Sequence, residues 1–235
     1  MAQKTLVIIP GWNGHRQTWA NFVSFAEKKC PTICLELPCF GLTPCPATIW
    51  GVEEYADFVL KELEKISGEI ILLGHSFGGQ VACYLAYKHP EKITRLVLTG
   101  AAAIRQPLPV YKRGVLWLVK KIKKMNGEKS IRPLRPVVYR LLGATDYLYS
   151  SGIKREIFRR VTTQDLTALL SQITTPTLIL WGKKDNFVPI ELGKRINQLI
   201  PNSQLIIYPK QKHGLHLTCP EQVLRDINKF YVLAD

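Results

Sequence analysis

Short apolar runs recur along the chain, and longer segments with a helical spacing of apolar residues separate them. Each run is five or six residues long, is rich in Val, Ile and Leu, and lacks the alternation of apolar and polar positions that a half-exposed strand shows. These features predict buried parallel strands. The predicted strands are Thr5–Ile9, Thr32–Glu36, Glu69–Gly74, Arg95–Thr99, Thr177–Trp181 and Gln204–Tyr208.

Amphipathic helices are predicted between the runs. The segment Val52–Ile66 shows the pattern clearly, because its apolar residues recur every three or four positions and therefore share one helical face. The same spacing predicts helices at Thr18–Lys28, Gly79–Lys88, Glu191–Leu199 and from Pro220 to about Leu233. Strands that alternate with helices predict the α/β class, here a doubly wound, mostly parallel sheet of about six strands.

One stretch, residues 103–165, breaks this alternation. It contains several amphipathic pieces but no buried strand-like run. We therefore expect two units. Residues 1–102 and 166–235 would form the core domain, and residues 103–165 would form a helical cap, or lid, over the carboxyl ends of the strands.

The predicted cap carries most of the positive charge. Residues 103–165 hold 15 Lys and Arg against 4 Asp and Glu, a net charge of +11, while the rest of the chain holds 17 against 14, a net charge of +3. Within the cap, segment 111–124 places apolar residues at helical spacing with lysines mostly opposite. Two interpretations stay open: a solvated helix whose apolar face covers a pocket, or a helix that rests on an anionic membrane surface. Nucleic acid binding is not expected, because the basic residues form no recognisable nucleic-acid-binding motif.

The six cysteines predict neither a disulfide framework nor a metal site. Four of them lie within sixteen residues, at Cys30, Cys34, Cys39 and Cys45, without the spacing of zinc ligands. The apolar run near the N-terminus is too short for a signal peptide or a membrane span. We therefore expect free thiols in a cytoplasmic protein. The sequence also lacks a dinucleotide or phosphate loop, so it implies no cofactor and no metal.

The candidate chemistry begins where the third predicted strand ends. Residues 70–79 lead from an apolar strand directly into Gly-x-Ser-x-Gly and then into a helix, with Ser76 at the turn. A serine on such a turn has strained backbone angles, so Gly74 and Gly78 are needed where a β-carbon would meet the neighbouring chain. The helix that begins at Phe77 directs its N-terminal amides at the serine, where they would stabilise developing negative charge. Ser76 is therefore the predicted nucleophile.

Two later strand ends supply the partners that such a serine needs. Ligand sites in open parallel sheets lie outside the carboxyl ends of the strands, where Asp185 follows the fifth strand and His213 follows the sixth. An imidazole can act as general base toward a serine hydroxyl, and a carboxylate fixes the tautomer of that imidazole. The backbone N–H groups of Trp12 and Phe77 would complete the site as an oxyanion hole.

Each of these assignments has an alternative. Asp185 could instead cap the turn that follows it or pair with a neighbouring lysine, and His216 competes with His213 for the role of base. Three further residues are assigned to the substrate pocket: Trp117, His75 and His216.

Taken together, these motifs resemble those of the α/β-hydrolase superfamily, in the chain order Ser, Asp, His. The resemblance covers nearly all of the chain outside residues 103–165. Residues 7–12 look like the family's oxyanion strand and loop, 36–41 like its Asp-x-x-Gly-x-Gly turn, 74–78 like its nucleophile elbow, and 176–185 and 213–221 like the segments that carry its acid and base.

The family pattern implies that His213 is the base and that His216 is a packing or rim residue. It also implies that the chain begins at the family's third strand. Several positions depart from the pattern: Pro10 stands where His is usual, Glu36 and Cys39 replace Asp and Gly, and Lys212 precedes the base where Gly is common.

The resemblance implies a cofactor-independent serine hydrolase. We expect it to cleave a small-molecule carboxylic ester through an acyl-enzyme, with Ser76 as nucleophile, His213 as base and then acid, and Asp185 orienting the base. A thioesterase, a lactonase or a C–C bond hydrolase could use the same three residues. A ligand-sensing protein with slow turnover could keep them as well. The oligomeric state is left open.

Overall fold

Six parallel strands form one sheet at the centre of the molecule. The structure is a computed structural model that describes residues 3–105, 110–131, 138 and 150–231. The strand order is β2-β1-β3-β4-β5-β6, and every neighbouring pair is parallel. The strands are β1 (Lys4–Ile9), β2 (Thr32–Cys34), β3 (Glu69–His75), β4 (Arg95–Thr99), β5 (Thr177–Gly182) and β6 (Ser203–Tyr208). All six predicted strands and the α/β class are confirmed.

Helices follow the strands and flank the sheet. They are α1 (Arg16–Ala26), α2 (Val52–Leu63), α3 (Phe77–Lys88), α4 (Val110–Ile131), α5 (Gly152–Thr163), α6 (Thr167–Leu170), α7 (Ile190–Leu199), α8 (Leu215–Thr218) and α9 (Pro220–Tyr231). The five predicted helices are confirmed with ends that shift by up to three residues. α1 begins two residues early because the Thr18 hydroxyl accepts from the His15 N–H (3.1 Å) and donates to the His15 carbonyl (2.7 Å).

Alternate strand residues pack on opposite faces of the sheet. Val7 and Ile9 of β1 belong to a core formed with α2, α3, α5, α6 and α7. Leu6 and Ile8 of the same strand belong to a second core formed with α1, α8 and α9. Because helices cover both faces, neither set of side chains meets water, which explains why the strands lack polar alternation in the sequence.

A largely part-buried hydrogen-bond network joins the two ends of the predicted cap to α3. The Arg105 N–H donates to Asp165 Oδ2 (2.8 Å), and the Arg105 guanidinium donates to Gln80 Oε1 (3.0 Å) and to the carbonyls of Val161 (2.7 Å) and Gln164 (3.0 Å). The Gln80 amide donates to the same two carbonyls. The chain is therefore fixed on both sides of the insertion, close to its predicted boundaries, while the division into core and cap stays a prediction.

The basic helix α4 presents apolar side chains to solvent. It is interrupted at Gly127, whose φ of 74° and ψ of 175° are not helical. The large apolar residues Tyr111, Trp117, Leu118 and Met125 are between 51% and 71% exposed. Among the described residues, no helix is long and apolar enough to cross a bilayer.

The prediction of free thiols is wrong for two of the six cysteines. Cys39 and Cys45 form a disulfide, with Cα atoms 4.1 Å apart. Cys39 has a φ of 73° and its N–H donates to the Pro44 carbonyl (3.2 Å), so the chain turns back on itself and brings the two cysteines together. The free thiols are Cys30, Cys34, Cys83 and Cys219. A cytoplasmic location stays a prediction.

Candidate active site

Ser76 lies on a sharp turn between β3 and α3. Its φ of 53° and ψ of −114° are strained for a residue with a side chain. Two close approaches make the turn possible: a β-carbon at Gly74 would lie 2.6 Å from the Gly78 carbonyl oxygen, and one at Gly78 would collide with the carbonyl oxygen of Ile9. The Ser76 N–H donates to the Thr99 carbonyl at the end of β4 (3.0 Å), which holds the turn against the sheet.

Asp185 follows β5 and bonds in two directions. Its Oδ1 accepts from the backbone N–H groups of Phe187 (2.8 Å) and Val188 (2.9 Å), and its Oδ2 lies 2.6 Å from His213 Nδ1. The carboxylate side chain is 1% exposed. One carboxylate oxygen therefore caps the turn, as the alternative interpretation expected, and the other contacts the imidazole, as a catalytic role would require. Within the described residues, its salt bridge is to His213 and not to a lysine.

Ser76 and His213 line one cavity at the carboxyl ends of the strands. Its volume is ≈ 330 Å³. The wall is formed by Gly11, Trp12, Asn13, Gly14, Thr18, Trp19, His75, Ser76, Phe187, His213, His216 and Leu217. Gly100, at the end of β4, backs the imidazole closely: it has a φ of 53°, and a β-carbon there would lie 2.8 Å from His213 Nδ1. The strand ends thus bring a hydroxyl, an imidazole and a carboxylate to one place.

Of the two predicted oxyanion-hole residues, Trp12 lines this cavity, and Phe77 directly follows Ser76, which also lines it. Trp12 stands in the turn after β1, which is closed by the Gly14 N–H donating to the Gly11 carbonyl (2.9 Å). Phe77 is the first residue of α3, so its N–H lacks the partner that a residue in the helix interior would have. The two rings are in contact, with centroids 5.8 Å apart, and Phe40 packs against both. The aromatic contacts fix the loop that carries the Trp12 amide against the elbow.

His216 lines the same cavity. Its ring stacks on Trp19 with centroids 3.8 Å apart and planes 7° apart, and it is 8% exposed. Burial, and then the nearby His213, lower the pKa of His216 from 6.5 to about 4. The sequence left His213 and His216 as rivals for the base, and the structure places His213, not His216, beside the carboxylate.

His75 completes a group of three imidazoles. Its Nδ1 lies 3.0 Å from both the carbonyl oxygen and the hydroxyl of Thr99, and its ring centroid is 4.7 Å from that of His213 and 4.8 Å from that of His216. Burial is the main cause that lowers the pKa of His75 well below 6.5, and the other two histidines add to it. His75 is therefore neutral near pH 7.

A family model described as the alpha/beta hydrolase fold matches residues 4–220 of this chain. The chain belongs to the alpha/beta hydrolase fold family. Its sheet, elbow and loops correspond to the resemblance noted from the sequence, and the protein is a hydrolase.

Curated relatives of this hydrolase differ from one another in substrate. It is 27% identical over 234 residues to a 2-hydroxy-6-oxononadienedioate/2-hydroxy-6-oxononatrienedioate hydrolase of Cupriavidus pinatubonensis, covering 89% of this chain and 80% of that protein. It is 25% identical over 237 residues to a pimeloyl-[acyl-carrier protein] methyl ester esterase of Neisseria meningitidis, covering 94% and 90%. An esterase from Exiguobacterium antarcticum has the same fold, with a TM-score of 0.74, 20% identity, and coverage of 98% and 92%.

Trp117 is the one predicted pocket residue that the structure does not bring to this cavity. It lies on α4 with its indole 62% exposed, and Lys121 Nζ sits 5.1 Å from the ring centroid. The helix turns the indole toward solvent and the lysine. The hydrolase therefore lines its described cavity with residues of the core loops and α1.

Sequence reasoning missed several residues of the cavity wall. Thr18 and Trp19 come from the start of α1, which follows the oxyanion loop, and Phe187 and Leu217 lie two and four residues after Asp185 and His213. Their closeness in sequence to the predicted site residues is the signal that could have identified them. Among the described residues, no group of three His, Cys, Asp or Glu side chains is placed to hold a metal ion.

Proposed function

We propose that the protein is a serine hydrolase that cleaves carboxylic esters through an acyl-enzyme. Ser76 is the nucleophile, His213 the general base and acid, and Asp185 the residue that orients His213. The observation that carries this proposal is the 2.6 Å contact between Asp185 Oδ2 and His213 Nδ1, beside a cavity that Ser76 and His213 share. A carboxylate at Nδ1 holds the proton there and leaves Nε2 free to accept one.

The reaction has two halves. Ser76 Oγ attacks the ester carbonyl carbon while its proton passes to His213 Nε2, and the oxyanion accepts from the N–H groups of Trp12 and Phe77. Collapse breaks the ester bond, and the departing alkoxide takes the proton from His213. Water then attacks the acyl-enzyme and gives a proton to His213. Collapse of the second intermediate breaks the bond between the acyl carbon and Ser76 Oγ, and His213 returns the proton to Oγ as the acid leaves.

Two features fit an ester substrate. One relative is named for cleaving a methyl ester, and it matches this chain over 94% of its length. The described cavity is mostly neutral and aromatic, which suits an uncharged ester group. Thioesters, lactones and C–C bonds remain the alternatives, since the same three residues could cleave each of them.

A substrate panel tests the proposal. Short acyl esters, thioesters, lactones and a 2-hydroxy-6-oxo dienoate are assayed with the wild type and with Ser76→Ala side by side. We expect ester turnover in the wild type and none above background in the variant. Preference for another substrate of the panel would change the reaction class. Turnover too slow to measure on every compound would favour a ligand-sensing role.

We also propose that the basic helix α4 rests on an anionic membrane surface. The exposed side chains of Tyr111, Leu118 and Met125 recur every seven residues and so lie along one side of the helix, and Lys121, three residues after Leu118 and four before Met125, is exposed beside them. Apolar residues beside lysines suit the boundary between lipid headgroups and acyl chains, and each basic residue near an anionic surface contributes about 1 kcal/mol. This proposal is independent of the catalytic one.

A further inference from the structure

His216 has one buried ring nitrogen that finds no hydrogen-bond partner among the described residues. Its Nδ1 is buried and makes no hydrogen bond with the described residues, while the ring itself lines the cavity beside Ser76. A neutral imidazole carries one N–H and one lone pair. Burying an unpaired N–H is rarer in proteins than burying an unpaired acceptor, so the proton belongs on Nε2. His216 can therefore offer the cavity a hydrogen-bond donor.

His75 has the opposite arrangement. Its Nδ1 lies 3.0 Å from the Thr99 carbonyl oxygen, which only accepts, so the proton must be on Nδ1. The Nε2 atom of His75 then carries a lone pair. Because the ring lines the same cavity, His75 can offer it a hydrogen-bond acceptor.

The two rings stand side by side without bonding to each other. Their centroids are 4.8 Å apart with planes at 62°, and the described hydrogen bonds include none between them. Because both rings line the cavity, one bound group that both accepts and donates could bond to the two of them. A carboxylate has no hydrogen to donate to the lone pair of His75, and an ammonium has no lone pair to accept the N–H of His216. A hydroxyl can bond to both rings.

We infer that His216 and His75 form a subsite that selects esters carrying a hydroxyl group near the scissile bond. The hydroxyl oxygen accepts from His216 Nε2, and the hydroxyl hydrogen is donated to His75 Nε2. The inference rests on the proposed ester hydrolysis and adds the substrate class to it. The stacked Trp19 holds the His216 ring in place, so the donor is positioned before the substrate arrives.

Isosteric ester pairs test this subsite. On the alcohol side, 2-hydroxyethyl butyrate is compared with propyl butyrate, and on the acyl side ethyl 3-hydroxybutyrate is compared with ethyl 3-methylbutyrate. In each pair a methyl group replaces the hydroxyl at nearly constant size. The readout is the ratio of kcat/KM within a pair. We expect the wild type to prefer the hydroxyl compound about tenfold in one pair, since a polar site left unpaired by the methyl analogue rejects it.

Three variants separate the subsite from a structural effect. His216→Phe keeps a flat ring over Trp19 but removes the N–H, so the ratio should fall to about one, whatever the absolute rate. His216→Gln restores a donor and should recover part of the preference. His89→Phe changes a histidine that does not line the cavity and should leave the ratio as in the wild type.

The outcomes distinguish this inference from the proposed function. Esters hydrolysed by the wild type with a ratio near one in both pairs would overturn the subsite and leave ester hydrolysis standing. A preference that persists in His216→Phe would do the same. Absence of turnover on all four esters would overturn both.

Discussion

Replacing Asp185 with asparagine separates the two roles of its carboxylate, which caps the turn after β5 and contacts His213. Asparagine keeps an oxygen for the Phe187 and Val188 amides, which Oδ1 accepts at 2.8 and 2.9 Å, so the turn after β5 should persist. The amide NH₂ would then face His213 Nδ1, where Oδ2 now lies at 2.6 Å. An NH₂ group donates, so Nδ1 would become the acceptor and the proton would move to Nε2.

The expected loss follows from that tautomer. With Nε2 protonated, His213 cannot take the Ser76 proton, and kcat should fall by about 10⁴. That factor corresponds to about 5.5 kcal/mol of transition-state stabilisation. The fold should change little, because both backbone hydrogen bonds of the side chain can be kept.

The assay is steady-state hydrolysis of a short ester, with circular dichroism to confirm folding. Asp165→Asn is the control for loss of a carboxylate away from the site: each of its two oxygens accepts from one backbone amide, those of Thr167 (2.7 Å) and Arg105 (2.8 Å), and none of its described hydrogen bonds is to a histidine. The control should keep activity of the wild-type order. If folded Asp185→Asn retained more than about a tenth of the wild-type kcat, the orienting role of Asp185 would be refuted.

Three further predictions follow from other parts of the structure. Gly100→Ala places a β-carbon 2.8 Å from His213 Nδ1 and should lower kcat/KM by about 10², whereas Gly152→Ala, with the same φ of 53° and no atom within 4 Å, should not. Burial lowers the pKa of His216 from 6.5 to about 4, so the unfolded chain binds more protons below pH 6.5. The free energy of unfolding should therefore fall as the pH is lowered from 6.5 toward 4, by about 3 kcal/mol from this residue. In urea titrations, the free energy of unfolding of His216→Phe should depend less on pH than that of the wild type. The protein should co-sediment with anionic vesicles at low salt, and less at high salt. Changing Lys120, Lys121 and Lys124 to Gln should weaken this binding more than the same change at Lys28, Lys29 and Lys92. No binding at low salt would dismiss the membrane proposal.

The four central strands could be predicted because they are buried on both faces. The run Thr177–Trp181 is apolar after its first residue, and the observed strand extends by only one residue, to Gly182. Helix ends were less certain. α1 begins at Arg16 because Thr18 caps it through its hydroxyl, a local contact that apolar periodicity does not report.

The catalytic candidates could be predicted because each lies within five residues of the carboxyl end of a strand. The position of a residue on a strand end is encoded locally, as for Ser76, Asp185 and His213. Contacts that depend on loop conformation, or that join residues far apart in the sequence, could not be predicted from the local sequence. The Cys39–Cys45 disulfide depends on a positive φ at Cys39, and the stacking of His216 on Trp19 joins residues nearly two hundred positions apart. The exposure of the Trp117 indole depends on which face of α4 is turned to solvent. The spacing of apolar residues in the sequence did not decide between the two interpretations of that helix.

Covalent labelling of Ser76 tests the central claim most directly. A fluorophosphonate reacts with a serine activated by a neighbouring base, and peptide mass spectrometry locates the adduct. The account predicts one label per chain, on the peptide that contains Ser76, with the label and ester turnover both lost in Ser76→Ala. A label on another residue, or ester turnover that persists in Ser76→Ala, would contradict it.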